Sequence, residues 1–376
     1  MNRIVLIFAS AKTAATNLAG VPAIARAIRE AASAAQSVPK YCEIVLALPD
    51  GRLDDSYCKD EIARLAPGAK ISWAATAALT PVAGDLFFAG ELQVSEAILV
   101  DALRPDRPST NLAESDHSLD AVLQFYEEQG HSGLTHYLRD ADREIVRDLV
   151  KPSDGIVSRY LNRPISTRIS SGLLQFRAVR PIHATAVAAL TASLMFGCLI
   201  SGSYFGLIVG AILFQVASVI DGVDGEIARA TFRTTARGAT LDSLTDAATN
   251  LAFLMGLGIG LAQQGADDTS LLGVWGFACL GTGLVLLGGH ATRSGRPVNF
   301  DALKHVVRQQ HSALGEWIIW LTMRDFLALG SAIMVILGFG HTFLQLFLVG
   351  SFLWLIAAIG FILSDAMMVL LRPSRK

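Results

Sequence analysis

The stretch DGVDGEIARATFRTTARGATLDSLTD, residues 221–246, decides the fold because it places four aspartates in the more apolar half of the chain. A charged side chain at the centre of a bilayer costs about 2.5–3.5 kcal/mol by insertion scales, so acids in such a region need a partner. Asp221 and Asp224 are three residues apart, and Asp242 and Asp246 are four apart, so each pair shares one face of a helix. If the two helices are antiparallel neighbours, the carboxylates meet at one end of the pair. Four carboxylates at one place repel one another unless a cation lies among them.

The residue types around the acids indicate which cation and which ligand they suit. Carboxylate oxygens are hard ligands, which favour Mg²⁺, Mn²⁺ or Ca²⁺ over zinc. Arg229 offers a planar fork for phosphate. Three small residues leave room for a bulky ligand against the backbone: Gly225, Ala228 and Gly238. Metal, arginine and space together favour a pyrophosphate site. The alternative is a solvated loop in which the arginines of the turn neutralise the acids.

Hydropathy divides the chain into two parts. The mean hydropathy of +0.45 and the 52% of hydrophobic residues are high for a wholly soluble protein of 376 residues. The apolar excess begins near residue 181, and a spanning helix needs about 20 predominantly apolar residues. Six segments meet this requirement: 182–200, 204–222, 243–262, 271–290, 325–346 and 347–371. The sequence therefore predicts an α/β cytoplasmic N-terminal domain followed by an all-α polytopic membrane domain with six transmembrane helices.

The distribution of lysine and arginine predicts the orientation. These residues gather before the first span, between the second and third, between the fourth and fifth, and at the C-terminus. The segments 201–203, 263–270 and 340–342 contain none. Cytoplasmic loops carry the excess of basic residues, so we expect an inner or plasma membrane protein with both termini and the aspartates on the cytoplasmic side. Residues 154–176 mix basic and apolar positions, which predicts an interfacial helix on that leaflet, interrupted at Pro164.

The N-terminal part has the pattern of an α/β domain. Apolar runs at 3–10, 42–49 and 85–90 predict strands, and the stretch 23–35 predicts a helix. The net charge of −2 gives no indication of nucleic acid as a partner. The four cysteines have no metal-ligand spacing and are expected to be reduced and structural.

The aspartate stretch reads D-x2-D-G-x2-A-R-x8-G-x3-D-x3-D, which resembles the signature of the CDP-alcohol phosphotransferase (CDP-alcohol phosphatidyltransferase) family at all eight fixed positions. This resemblance, over roughly residues 155–371, implies attack of an acceptor hydroxyl on the β-phosphate of a CDP-alcohol, with release of CMP. It implies Mg²⁺ or Mn²⁺ as cofactor, bound by Asp221, Asp224, Asp242 and Asp246. Asp242 and Asp246 would be the catalytic residues, and Asp246 would share in metal binding or take the proton of the acceptor hydroxyl. The nucleotide would lie against Gly225, Ala228, Arg229 and Gly238.

A second resemblance concerns residues 1–150. The segment LAGVPAIARAIREA, residues 18–31, is similar to the one that follows the glycine-rich loop of sugar-nucleotidyltransferases. In this chain the loop itself, ASAKTAATN at 9–17, has no glycine, and Glu91 stands near the position of that family's metal-binding aspartate. A loop without glycine brings its backbone amides less readily to a triphosphate. We therefore expect a degenerate nucleotidyltransferase-like domain that serves as a scaffold or in regulation.

The junction KPSDGIVSRYLNRPIS, residues 151–166, resembles the link in fused inositol-1-phosphate cytidylyltransferase and di-inositol-phosphate phosphate synthase proteins. It implies a division into residues 1–150, a basic juxtamembrane helix at 151–180 and a membrane domain at 181–376. It also implies an inositol-type CDP-alcohol or acceptor. Arginines such as Arg159, Arg163 and Arg168 would then lie near the substrate phosphate, or bind anionic lipid headgroups.

Several alternatives for the function stay open at this point. The acceptor is a polyol phosphate or a lipid, and the resemblance also implies a homodimer among membrane lipids. One alternative is a phospholipid synthase that uses CDP-diacylglycerol, of the phosphatidylinositol-phosphate or phosphatidylglycerol-phosphate type. Another is a non-catalytic membrane scaffold that only binds the CDP-alcohol or the metal.

Overall fold

The computed structural model describes residues 2–38, 41–103, 117–150, 154–266, 268–293 and 323–371. The chain divides into two units. Unit 1 comprises Met1–Leu149, Ser171–Arg177 and Ala230–Phe232, and unit 2 comprises Val150–Ser170, Ala178–Arg229 and Arg233–Lys376.

The strands found among the described residues all belong to unit 1: β1 Asn2–Ile7, β2 Asn17–Leu18, β3 Val21–Pro22, β4 Tyr41–Leu48, β5 Ile71–Ala75 and β6 Leu86–Ala89. The helices of the N-terminal part are α1 Ala11–Ala14, α2 Ala23–Ser37, α3 Ser56–Leu65, α4 Glu96–Leu103 and α5 Leu119–Arg147. The later helices are α6 Arg163–Leu173, α7 Pro181–Ile200, α8 Tyr204–Ala230, α9 Ala236–Ala262, α10 Asp268–Arg293, α11 Arg324–Ile336 and α12 Gly340–Leu371.

Unit 1 is built on a parallel sheet with the strand order β5-β4-β1-β6. Side chains of a strand alternate between its two faces, and β1 buries both: Ile4 and Leu6 pack in a cluster with α2, whereas Val5 and Ile7 pack in a cluster with Val122 of α5. A parallel sheet covered on both faces is typical of α/β proteins. The structure therefore confirms the predicted α/β class, the three predicted strands and the helix at 23–35.

Arginines on α2 and α3 hold the short segment 230–232 within unit 1. Arg26 is buried and donates to the carbonyl oxygens of Leu18, Ala19 and Ala230. Burial lowers the pKa of Arg26 to about 10. Arg64 donates to the carbonyl oxygens at 231 and 232, at 2.8 and 3.2 Å. These bonds satisfy backbone carbonyls that no helix pairs.

Unit 2 is helical. Among the described residues, five helices are long and apolar enough to cross a membrane: α7, α8, α9, α10 and residues Gly340–Ser364 of α12. Small residues allow the closest approach between them. A Cβ added to Gly258 of α9 would lie 2.9 Å from the Cα of Gly273 on α10, so only glycine fits this crossing.

The six-span prediction is not confirmed, because the described chain breaks at a different place. The predicted fifth span, 325–346, contains a turn at its centre, and α11 has only 13 residues. Such a helix rises about 20 Å, less than the roughly 30 Å hydrocarbon core. Gly338 has φ +84°, and the amide of Phe339 donates to the carbonyl of Met334. This left-handed glycine ends α11, and α12 then begins at Gly340, inside the predicted fifth span.

The juxtamembrane segment is helical through Pro164, and the predicted interruption there is wrong. A π-helical turn, Ser158–Asn162, directly precedes α6, and the amide of Arg163 donates to the carbonyl of Ser158. The wider turn removes the clash that a proline ring makes with the carbonyl four residues earlier. The helix exposes Ile165 and Ile169 and buries polar side chains. Its location at a leaflet stays a prediction.

Candidate active site

Three of the four predicted metal ligands lie together in unit 2. Carboxylate oxygens of Asp221 on α8 and of Asp242 and Asp246 on α9 are all within 4.8 Å of one another. Helix α8 ends at Ala230, and α9 begins after Thr235, whose hydroxyl accepts from the amide of Gly238. The i, i+4 spacing on α9 places both of its acids on one face. The hard, anionic oxygens of this aspartate group suit Mg²⁺ or Mn²⁺.

Asp224 lies outside that group of three among the described residues. Its side chain is buried, and its Oδ2 accepts a hydrogen bond of 2.6 Å from the hydroxyl of Thr185 on α7. Asp224 nevertheless lines the same cavity as Asp242. The sequence placed all four acids in one cluster, and the structure brings Asp224 beside the aspartate group with a bond to a third helix.

Arg324 is a site residue that sequence reasoning missed. It lies at the first position of α11, and its Nη1 is 3.0 Å from Oδ1 of Asp221 and also ion-pairs with Asp246. The Arg324 side chain is 12% exposed, so the contact is largely shielded from water. The sequence showed this arginine only as one basic residue of a loop, because its contacts with Asp221 and Asp246 join residues that are far apart in the chain.

A cavity of about 400 Å³ adjoins the aspartates in unit 2. All four residues predicted to contact the nucleotide line this cavity: Gly225, Ala228, Arg229 and Gly238. A Cβ on Gly225 would lie 3.1 Å from Nη1 of Arg229, so the guanidinium packs against a bare backbone. The cavity is also lined by Arg180 and Arg233. Three arginines beside two carboxylates form a surface on which an anion bound to a cation fits.

Arg163 of α6 connects the segment before that helix to α8, the helix that carries the first half of the aspartate motif. Arg163 donates to Asp154 at 2.7 and 3.2 Å and to Glu226 at 2.8 Å. Burial lowers the pKa of Arg163, but the hydrogen bonds to the two carboxylates outweigh it, so the pKa lies above its ordinary value. In the structure Arg163 pairs with two protein carboxylates, whereas Arg168 is exposed.

In unit 1, Glu91 stands near the position that corresponds, by the resemblance described above, to the metal-binding aspartate of sugar-nucleotidyltransferases. Its side chain is fully buried and accepts from the amide of Ala9 at 3.0 Å, from the hydroxyl of Thr13 at 2.6 Å and from the hydroxyl of Tyr126 at 2.6 Å. Burial and the neighbouring Glu91 carboxylate raise the pKa of Tyr126. The loop at 9–17 is thus bonded to the chain's own carboxylate, while Lys12 is exposed.

The aspartates lie in a region of the chain that matches a known protein family. Residues 180–369 match the family described as CDP-alcohol phosphatidyltransferase. The chain is 42% identical over 122 residues to a protein named bifunctional IPC transferase and DIPP synthase from Aquifex aeolicus, over 32% of this chain and 27% of the relative. A protein of the same name from Archaeoglobus fulgidus is 38% identical over 118 residues, 31% of this chain and 23% of the relative. Another, from Thermococcus kodakarensis, is 40% identical over 120 residues, 31% of this chain and 26% of the relative. The matched parts thus span about a quarter of each relative.

The family match covers half of the chain, includes all eight positions of the motif and agrees with the five apolar helices, which make this an integral membrane protein. The chain therefore belongs to the CDP-alcohol phosphatidyltransferase family.

Proposed function

We propose that this protein transfers a phosphoalcohol group from a CDP-alcohol to an acceptor hydroxyl and releases CMP. The main support for the proposal is the cavity of about 400 Å³, which is lined both by the four residues predicted to contact the nucleotide and by Asp224 and Asp242. A CDP-alcohol offers a pyrophosphate, and this cavity has arginines on one side and carboxylates on the other. The family match and the motif support the same reaction.

The proposed site assigns roles to residues that lie together. Asp221, Asp242 and Asp246, with Asp224 alongside, would hold Mg²⁺ or Mn²⁺. When bound, the metal would neutralise charge on the pyrophosphate oxygens and on the leaving CMP. Arg229 would bind phosphate of the donor, and Gly225, Ala228 and Gly238 would allow the nucleotide to lie against the backbone.

The acceptor oxygen would attack the β-phosphorus, and its proton would pass to the carboxylate of Asp246. The bond between that phosphorus and the bridging oxygen would break, and CMP would leave with the electron pair. Asp246 suits the role of base because it lies at the edge of the aspartate group, with a side chain that is 32% exposed. Asp242, the second catalytic residue, would position the donor and the cation relative to the carboxylate of Asp246.

We infer an inositol-type substrate, either as the CDP-alcohol or as a polyol phosphate acceptor, because the relatives share the name IPC transferase and DIPP synthase. A phospholipid synthase that uses CDP-diacylglycerol is a second candidate. It is favoured by Ile182 and Leu241, two exposed apolar side chains that line the cavity and would suit an acyl chain.

The arrangement around this site is part of the proposal. We propose a division of the chain into residues 1–150, 151–180 and 181–376, with both termini and the site on the cytoplasmic side of the inner or plasma membrane, and a homodimer. Residues 1–150 would be a degenerate nucleotidyltransferase-like domain. The bonds of Ala9, Thr13 and Tyr126 to Glu91 support this, because they occupy the loop that would otherwise bind a triphosphate.

The test is CMP release by the purified full-length protein in detergent with Mg²⁺ or Mn²⁺. CDP-inositol and CDP-diacylglycerol are offered in turn, each with inositol phosphate and other polyol phosphates. CMP from CDP-inositol supports the proposed substrate class, and CMP from CDP-diacylglycerol alone supports the second candidate. The Asp246→Asn variant should lower the rate by about 10²–10⁴-fold, the usual contribution of a general base. An unchanged rate in this variant, or no CMP from any CDP-alcohol, would overturn the proposal.

A further inference from the structure

The buried residue Glu226 lies inside the aspartate motif but outside both the aspartate group and the cavity. Its side chain has no exposed surface. It accepts from Nη1 of Arg163 at 2.8 Å, from the hydroxyl of Ser166 at 2.6 Å and from the hydroxyl of Ser170 at 2.5 Å. All three donors belong to α6, so one turn of α8 is fixed to α6 by a single carboxylate.

These hydrogen bonds are made on one face of α8, and the proposed metal ligand Asp224 lies on the opposite face. Gly222 and Glu226 are four residues apart and lie one above the other, whereas Asp224 is two residues from each and lies on the opposite side. Arg163 crosses α8 at Gly222: a Cβ added there would be 3.1 Å from Nη1 of Arg163 and 3.4 Å from the hydroxyl of Ser166. The rotation of this turn of α8 about its axis is therefore set by contacts on its back face.

The contacts are ionic and shielded from water. The side chains of Arg163 and Asp154 are both 11% exposed. Arg163 binds Asp154 through Nε and Nη2 and binds Glu226 through Nη1, so all three nitrogens of its guanidinium donate to a carboxylate. Removing one partner of such a pair leaves a buried charge without compensation.

We propose that Arg163 and Glu226 are positioning residues of the metal site. They fix the turn of α8 that presents Asp221 and Asp224, and they never contact the substrate. The inference rests on the proposed function, because it assumes that these aspartates bind a divalent cation. Partners that orient metal ligands from behind typically change metal affinity or activity by about 10–100-fold when they are mutated.

The experiment measures binding of Mn²⁺ alone by electron paramagnetic resonance on the purified full-length protein in detergent. The test variants are Arg163→Met, Glu226→Gln and Gly222→Ala, and the matched control is Arg168→Met, which removes an exposed charge from the same helix. We expect the Mn²⁺ dissociation constant to rise about 10–100-fold for Arg163→Met. Smaller increases in the same direction are expected for Glu226→Gln, which keeps the side-chain shape, and for Gly222→Ala, which displaces Arg163. The control should keep the wild-type affinity.

The thermal unfolding midpoint of each variant is measured in parallel. A lower midpoint with an unchanged Mn²⁺ affinity would show a purely structural role and overturn the inference. If Arg163→Met does not fold, the two milder variants decide by the same criterion. Wild-type protein that binds no Mn²⁺ would count against the metal-dependent reaction itself, whereas wild-type binding with unaffected variants would count only against the positioning role.

Discussion

Arg324 provides the sharpest test of the site, because it is a cation that contacts the same carboxylates as the proposed metal. Its Nη1 lies 3.0 Å from Oδ1 of Asp221 and ion-pairs with Asp246. At about 3 Å and an effective dielectric constant of about 20, one such contact has a gross Coulomb energy of roughly 5 kcal/mol. Most of this is offset by desolvation and by the entropy of holding the side chain.

We therefore predict that Arg324→Gln binds Mn²⁺ more tightly than the wild type. A net gain of about 1.4 kcal/mol, a fraction of the gross term, corresponds to a tenfold lower dissociation constant. The assay is titration of the purified protein in detergent with Mn²⁺, at a fixed ionic strength because salt screens exposed charges. Arg237→Gln is the control, since it removes an exposed arginine from the first turn of α9. An affinity of Arg324→Gln that is equal to or weaker than that of the wild type would refute the idea that the guanidinium competes with the metal.

Three further predictions concern other parts of the chain. Gly225→Val should raise KM for the CDP-alcohol at least tenfold, a shift of about 1.4 kcal/mol, because the new side chain would meet the guanidinium of Arg229. Steady-state CMP release measures KM, and an unchanged KM would contradict the proposed nucleotide contact. Tyr126→Phe should destabilise unit 1 by about 1.5–3 kcal/mol, the usual contribution of a hydrogen bond to a charged group, since Glu91 loses one of its donors. The midpoint of thermal unfolding of the full chain measures this loss of stability, and an unchanged midpoint would contradict the prediction. Burial alone would raise the pKa of Asp85, but hydrogen bonds from Arg3 and from the amide of Val82 lower it below its ordinary value of 3.8. The stability that Asp85 contributes is therefore complete above that value and lost as the pH falls below it. Asp85→Asn should weaken the loss of stability below about pH 4, and an identical acid-unfolding curve would be the contrary result.

The sequence predicted those parts of the molecule that depend on local pattern. The apolar runs at 3–10 and 42–49 became β1 and β4 because a parallel sheet buried on both faces needs uninterrupted apolar strands. The spacing of Asp242 and Asp246 correctly placed both on one face of α9. The GFG sequence at 338–340 contained the signal for the true break between α11 and α12, but an apolar run on both sides obscured it.

The contacts that sequence reasoning missed join residues far apart in the chain. Arg163 and Glu226 are 63 residues apart. The sequence pattern showed each of them only as one charged residue of a polar segment and did not predict that they pair. Thr185 carries no charge, so no pattern marked it as the partner of Asp224. Such pairs become visible only when packing brings the helices together, because burial then requires every polar group to find a partner.

The three hydrogen bonds on Glu91 have a consequence for how unit 1 responds to its surroundings. A nucleotide-binding domain is stabilised by its ligand through mass action, by about 2.7 kcal/mol when the ligand is present at a hundred times its dissociation constant. In this chain the donors on Ala9, Thr13 and Tyr126 come from the same polypeptide and are present at every ligand concentration. If unit 1 is the degenerate domain proposed above, its fold is uncoupled from the nucleotide supply, and its stability should stay constant while the concentration of free nucleotide changes.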